Sequence, residues 1–201
     1  DYTTELPKDA GTYAVLITST VKDASSGKTI SYGKAIKVFT IAPCPVTIDW
    51  SGADDFTYDG KAHTLTPTAQ NVVSGDKLEL TVTLKCENIT VSSAINVGTY
   101  TATASITNKN YVIAAESETA TFTITQRPLT VTANDKTLTY GDLVPTFNET
   151  DLTYEGLLDC DKGKLGTPDF ECAYTTKSPV GDYTIKVSGL ANSNYHISYE
   201  S

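Results

Sequence analysis

The sequence of 201 residues has no methionine, one tryptophan and two histidines, His63 and His196. Those histidines lie far apart, so a Ser-His-Asp triad or a histidine metal cluster would need them brought together from different parts of the chain. Helix-forming runs are nearly missing, which leaves no helix for a glycine-rich phosphate loop to precede. The chain is therefore expected not to be an enzyme and to carry no cofactor. Cysteine occurs four times without C-x-x-C spacing, an argument against zinc. Charged residues make up 19% and sum to −9, with no cluster of lysine or arginine. Nucleic acid and anionic membrane surfaces are thus poor partners. No apolar run is long enough to cross a membrane, and no stretch resembles a signal peptide.

What is present is repetition. Phe39-Thr-Ile-Ala returns as Phe122-Thr-Ile-Thr, and Val46-Thr-Ile-Asp returns at the same offset as Leu129-Thr-Val-Thr. Gly11-Thr-Tyr13 returns as Gly98-Thr-Tyr100 and again as Gly181-Asp-Tyr183, at that offset or close to it. A fixed period is the mark of tandem modules, an architecture of display and spacing more than of catalysis. Three parts are expected: residues 1–43 as the C-terminal part of a preceding repeat, 44–126 as one repeat and 127–201 as another. The pattern starts inside one repeat and stops before the last has a closing Phe-Thr-Ile, so the expectation is a segment of a longer polypeptide.

Within each repeat the apolar residues alternate. Tyr100, Ala102, Ala104 and Ile106 share one face of a strand while Thr101, Thr103 and Ser105 share the other; Tyr183, Ile185 and Val187 alternate with Thr184, Lys186 and Ser188 in the same way. One buried and one wet face predicts antiparallel sheets, and hence an all-β fold of small elongated modules, either immunoglobulin-like sandwiches or β-grasp-like sheets. Gly75 to Leu80 could start the short helix of a β-grasp, although Leu80-Thr-Val-Thr-Leu84 reads better as strand. Gly98 and Gly181 mark strand entries, and Asn108 to Tyr111 and Asn192 to Tyr195 read as polar turns followed by a tyrosine returning to the core. Ala42-Pro-Cys-Pro45 and Gln126-Arg-Pro128 join the repeats, and proline stiffens such joints.

The stretch Leu129-Thr-Val-Thr-Ala-Asn-Asp-Lys-Thr-Leu-Thr-Tyr-Gly-Asp-Leu-Val-Pro145, with Ser178-Pro-Val-Gly-Asp-Tyr183 and Asn192-Ser-Asn-Tyr195, resembles the MBG-type repeats of Tyr-Gly signature. The middle repeat, with Phe56-Thr-Tyr-Asp-Gly60, Ile95-Asn-Val-Gly-Thr-Tyr100 and Phe122-Thr-Ile124, looks like the related Tyr-Asp-Gly type. The resemblance covers essentially the whole chain. It implies tandem repeats of bacterial surface proteins and adhesins, an extracellular location at the cell surface, and no catalytic residues. The loop around Cys160 departs from the usual pattern of such repeats, which more often have a Gly-Asp-like turn without cysteine there.

Candidate site residues follow from chemistry. Spacing favours a Cys160–Cys172 disulfide, with Cys44–Cys86 pinning the first proline joint; four unpaired thiols are the alternative. Asp159, Asp161 and Gly163 open like a calcium loop, but Phe170 stands where the bidentate glutamate belongs, so a solvated acidic turn is expected. Asp54, Asp55 and Asp59 are read the same way. Trp50 ends an alternating face with Val46 and Ile48 and is assigned to packing. Tyr154 and Tyr174 lie near irregular stretches and are the candidate ligand contacts. The function expected is a stalk that presents a distal domain, its partners the neighbouring repeats; the alternative is an adhesin module binding a glycan or a protein.

Overall fold

The computed structural model describes residues 4–200, and for residues 31 and 32 the backbone alone. Among the described residues fifteen strands follow one another: β1 (Gly11–Lys22), β2 (Thr29–Ile41), β3 (Cys44–Asp49), β4 (Phe56–Thr57), β5 (Thr68–Gln70), β6 (Thr81–Cys86), β7 (Ile89–Val91), β8 (Gly98–Ser105), β9 (Tyr111–Ile113), β10 (Thr119–Thr125), β11 (Arg127–Ala133), β12 (Leu152–Glu155), β13 (Asp169–Cys172), β14 (Ile185–Ser188) and β15 (Tyr195–Glu200). Helix among the described residues is confined to three 3-10 turns, Ala115–Ser117, Glu149–Asp151 and Asp159–Asp161. The fold is all-β and its sheets are those of β-sandwich modules. Gly75 to Leu80 is a turn followed by irregular chain, not a helix.

The sheets are β1-β2, β5-β3-β9, β4-β10-β8-β6-β7, β12-β11-β15 and β13-β14. Antiparallel pairing dominates, but β3–β9, β4–β10 and β11–β15 are parallel, so the sheets are mixed where alternation predicted antiparallel. Side-chain periodicity fixes the face of a strand and is indifferent to its direction. The opening strand of each repeat thus lies beside the strand that follows its Asn-x-Asn-Tyr turn. Between β6 and β7, Glu87 and Asn88 both take positive φ (47° and 70°), the geometry of a two-residue type I′ hairpin.

Two compact units result, one formed by Asp1–Ser51, Leu65–Thr83 and Ala102–Ala120, the other by Gly52–Thr64, Leu84–Thr101 and Thr121–Ser201. The first buries Val46, Ile48, Leu65, Ala102, Ala104 and Tyr111. In the same unit the β1–β2 hairpin leaves Val15, Ile17, Ile36, Val38 and Phe39 exposed. The second is built around Phe122, Ile124, Leu129 and Val131, with Tyr58, Tyr100, Leu152, Leu165 and Tyr195 around them.

The sequence repeat is also a repeat of contacts. Tyr100 stacks on Phe122 at 5.4 Å, and Tyr13 on Phe39 at 5.7 Å. Tyr13, Tyr100 and Tyr183 each donate a hydroxyl hydrogen bond to the carbonyl four residues earlier, on Asp9, Asn96 and Pro179, at 2.7–2.8 Å. Tyr100 is buried, whereas Tyr13 and Tyr183 are half-buried.

Candidate functional site

Three features concentrate specific chemistry: a hydrogen-bonded joint that occurs twice, a carboxylate buried between two tyrosines, and a groove in the last repeat.

The joint is made by the second asparagine of each Asn-x-Asn-Tyr turn. At Asn194 the backbone carbonyl accepts from Arg127 N (3.0 Å), Oδ1 accepts from Val97 N (3.0 Å), and Nδ2 donates to Asn96 Oδ1 (3.0 Å). At Asn110 the carbonyl accepts from Cys44 N (2.8 Å), Oδ1 from Ala10 N (2.7 Å), and Nδ2 donates to Asp9 Oδ1 (2.8 Å). The preceding asparagine shapes each turn, Asn192 and Asn108 accepting from the N–H of Asn194 and Asn110 (2.9 and 3.0 Å). One asparagine, through its side chain and its backbone carbonyl, thus ties the dipeptide before a Gly-x-Tyr to the first strand of the following repeat. Sequence reading took the motif for a turn and missed the clamp. Its signal was present, because a polar residue stands two positions before Gly11 and Gly98, as Asp9 and Asn96.

The tyrosine that ends each motif is anchored within its own repeat. Tyr195 donates to Asp161 Oδ2 (2.8 Å) and accepts from Leu158 N (3.2 Å); Tyr111 donates to Asp76 and accepts from Val73 N (3.3 Å). Asp161 also receives the hydroxyl of Tyr58 (2.9 Å), from the Tyr-Asp-Gly signature of the middle repeat, and the rings of Tyr58 and Tyr195 meet edge to face at 5.5 Å. Asp161 and Asn194 are the buried polar side chains among the described residues. Burial alone would raise the Asp161 carboxyl, but the hydroxyls of Tyr195 and Tyr58 and the ammonium of Lys164 outweigh it and hold the group below the ordinary carboxylate range. Burial first, and then the charge and hydrogen bond of Asp161, push both tyrosines up to about 12. Gly60, at φ 74°, completes the close approach: a Cβ there would meet Cys160 Sγ at 2.9 Å.

Asp159, Asp55 and Asp59 have partners within the chain. Asp159 pairs with Lys162 (2.7 Å) beside the buried Asp161. Asp55 accepts from Thr123 N (2.7 Å), and Asp59 accepts from Lys61 N (2.9 Å) and meets His63 Nε2 (2.9 Å). His63 stacks on Phe56 at 4.0 Å, and Trp50 donates its indole N–H to Ser117 O (2.8 Å). All four cysteines carry free thiols. Cys160 is exposed in the 3-10 turn facing Gly60, whereas Cys172 sits on β13 and lines the groove described next. Cys44 lies 4.0 Å from Asn71 O, and Cys86 borders Gly98.

Tyr174 and Tyr154 belong to different depressions. A groove of ≈550 Å³ runs between residues 133–147 and 172–185, and Tyr174 lines it with Leu138, Tyr140, Val180 and Tyr183. There the Tyr174 hydroxyl is tied to Asp142 O (3.0 Å) and its ring meets Tyr183 edge to face at 5.7 Å. Tyr154, half-buried on β12, borders a separate hollow of ≈480 Å³ with Glu149, Leu157 and Lys162.

Residues 129–201 match the family of the MBG domain (YGX type), so the last repeat is similar to an MBG repeat, as its Tyr140-Gly141 signature led us to expect. No curated protein and no solved structure matches the chain.

Proposed function

We propose that this chain is a non-catalytic stalk segment of a bacterial cell-surface protein, in which tandem modules, 44–126 and 127–201 after the partial module 1–43, hold a distal functional domain away from the cell. The observation that carries this reading is the joint repeated at Asn110 and Asn194. Spacing needs modules that meet in one fixed geometry, and three hydrogen bonds from one side chain and its carbonyl, buried in the case of Asn194, define such a geometry. The proline joints, too short to swing freely, support it, as do the MBG match and the net charge of −9, which favours solubility.

Spin labels at Glu87 and Lys177, in a background with the cysteines changed to serine, test the joint at Asn194. The stalk reading expects a narrow distance distribution that broadens in Asn194→Ala. A broad distribution in the parent protein would refute it. Saturable binding on a glycan array would transfer the assignment to an adhesin.

A further inference from the structure

The two repeats turn the same corner with different residues. Asp76 and Asp161 each accept the hydroxyl of the tyrosine that ends their own repeat's Asn-x-Asn-Tyr motif, and Val73 and Leu158, three residues before each aspartate, donate their N–H to that tyrosine's oxygen. The aspartates therefore correspond, and so do the residues before them, Gly75 and Cys160. At Cys160 this corner meets the signature of the repeat that precedes it. Tyr58 donates to Asp161 at 2.9 Å, and Gly60 lies so close that a Cβ built on it would stand 2.9 Å from Cys160 Sγ and 3.3 Å from Leu158 Cδ1. The approach depends on glycine at the third signature position. The two signatures differ there: aligned on their tyrosines, Tyr58-Asp59-Gly60 stands over Tyr140-Gly141-Asp142, so Asp142 is the counterpart of Gly60.

We propose that the Gly60–Cys160 contact selects neighbours: a repeat with a side chain at the Cys160 position docks behind a repeat of Tyr-x-Gly signature and rejects one of Tyr-Gly-x signature, which a Gly-Asp corner such as Gly75-Asp76 would admit. Rejection has two sources. An aspartate at position 60 would put its Cβ against Cys160 Sγ, closer than non-bonded atoms approach, and would bring a carboxylate to a turn that already carries Asp159 and Asp161. Backbone strain is not the source, because aspartate tolerates the positive φ of Gly60, 74°, better than most residues with a side chain do. Tyr58, meeting Asp161 through its hydroxyl and Tyr195 through its ring, supplies the attraction, and Gly60 with Cys160 supplies the discrimination. This goes beyond the stalk reading, since it concerns which repeats can be neighbours and holds whatever the array presents.

A double-mutant cycle on the intact protein, read as the midpoint of urea denaturation, provides the test. Gly60→Asp should lower the midpoint more than Gly60→Ala, the reverse of the order that backbone strain alone gives. Raising the salt concentration should narrow that difference, because part of it is repulsion between carboxylates. In Cys160→Ala, which removes Sγ, both losses should shrink by about half or more. Should Gly60→Asp fail to fold, the cycle of Gly60→Ala with Cys160→Ala decides alone. These variants leave Asn194 and its partners in place, so the outcome is separate from that of the stalk test. Equal losses with and without the thiol, or aspartate costing less than alanine at position 60, would each overturn the proposal.

Discussion

At the scale of single residues, the joint concentrates its polar energetics in Asn194 and Asp161. Asn194→Ala removes the acceptor of Val97 N and the donor to Asn96 together, which should cost about 1–3 kcal/mol in urea denaturation because partly buried groups lose their partners. An effect within experimental error would show that water replaces the clamp freely. Asp161 makes stability depend on pH at both ends. Its folded carboxyl is depressed, so its contribution is present above the ordinary carboxylate pKa near 3.9 and disappears as pH falls through the lower folded value. Tyr58 and Tyr195 are raised from 10 to about 12, so their contribution is intact below pH 10 and lost as pH climbs towards 12. Asp161→Asn should flatten the acid limb of a stability–pH profile, and Tyr58→Phe part of the alkaline one. None of this was legible in a D-x-D-x-G string, since the partners of Asp161 lie 103 and 34 residues away.

At the scale of elements, the same Gly-x-Tyr signal is found in three settings, and Gly181 does not open a strand as expected, since β14 begins only at Ile185. Tyr100 is buried under Phe122, Tyr13 has Phe39 alone on a hairpin with exposed apolar residues, and Tyr183 borders an open groove. Tyr100→Ala should therefore cost about 3 kcal/mol or more, as large aromatic truncations in cores do. Tyr183→Ala should cost distinctly less in chemical denaturation, because Tyr183 is half-buried where Tyr100 is buried. Equal losses would mean that burial does not set the value. Strand positions and faces were legible because alternation is written locally in the side chains, as in Tyr100 to Ser105. Strand direction was not: the parallel pairing of β3 with β9 joins Cys44 to Tyr111, which stand at opposite ends of one repeat, and nothing in either segment encodes it. Leu138-Thr139, the counterpart of Phe56-Thr57 in β4, is irregular, and a two-residue edge strand needs a paired neighbour to exist at all.

At the scale of the whole molecule, the proposed stalk reading expects the joint to make repeats interchangeable, the property a spacer needs. Deleting Val46 to Pro128 removes one period and fuses Pro45 to Leu129, the residue that corresponds to Val46. In the shortened chain Asn194 would face Asp9 and Ala10 in place of Asn96 and Val97, and its carbonyl would meet Cys44 N instead of Arg127 N. Each substitute already makes that bond with Asn110, so the joint should re-form without redesign. On the stalk reading, small-angle scattering is expected to show a maximum dimension reduced by about 35–45 Å, taking strands of about 20 Å and two such lengths to a module. An unchanged dimension would mean that the repeats fold back on each other and that their number does not set reach. A shortened chain that fails to fold would point instead to a joint specific to each pair of repeats, and the period would then record ancestry without conferring modular length.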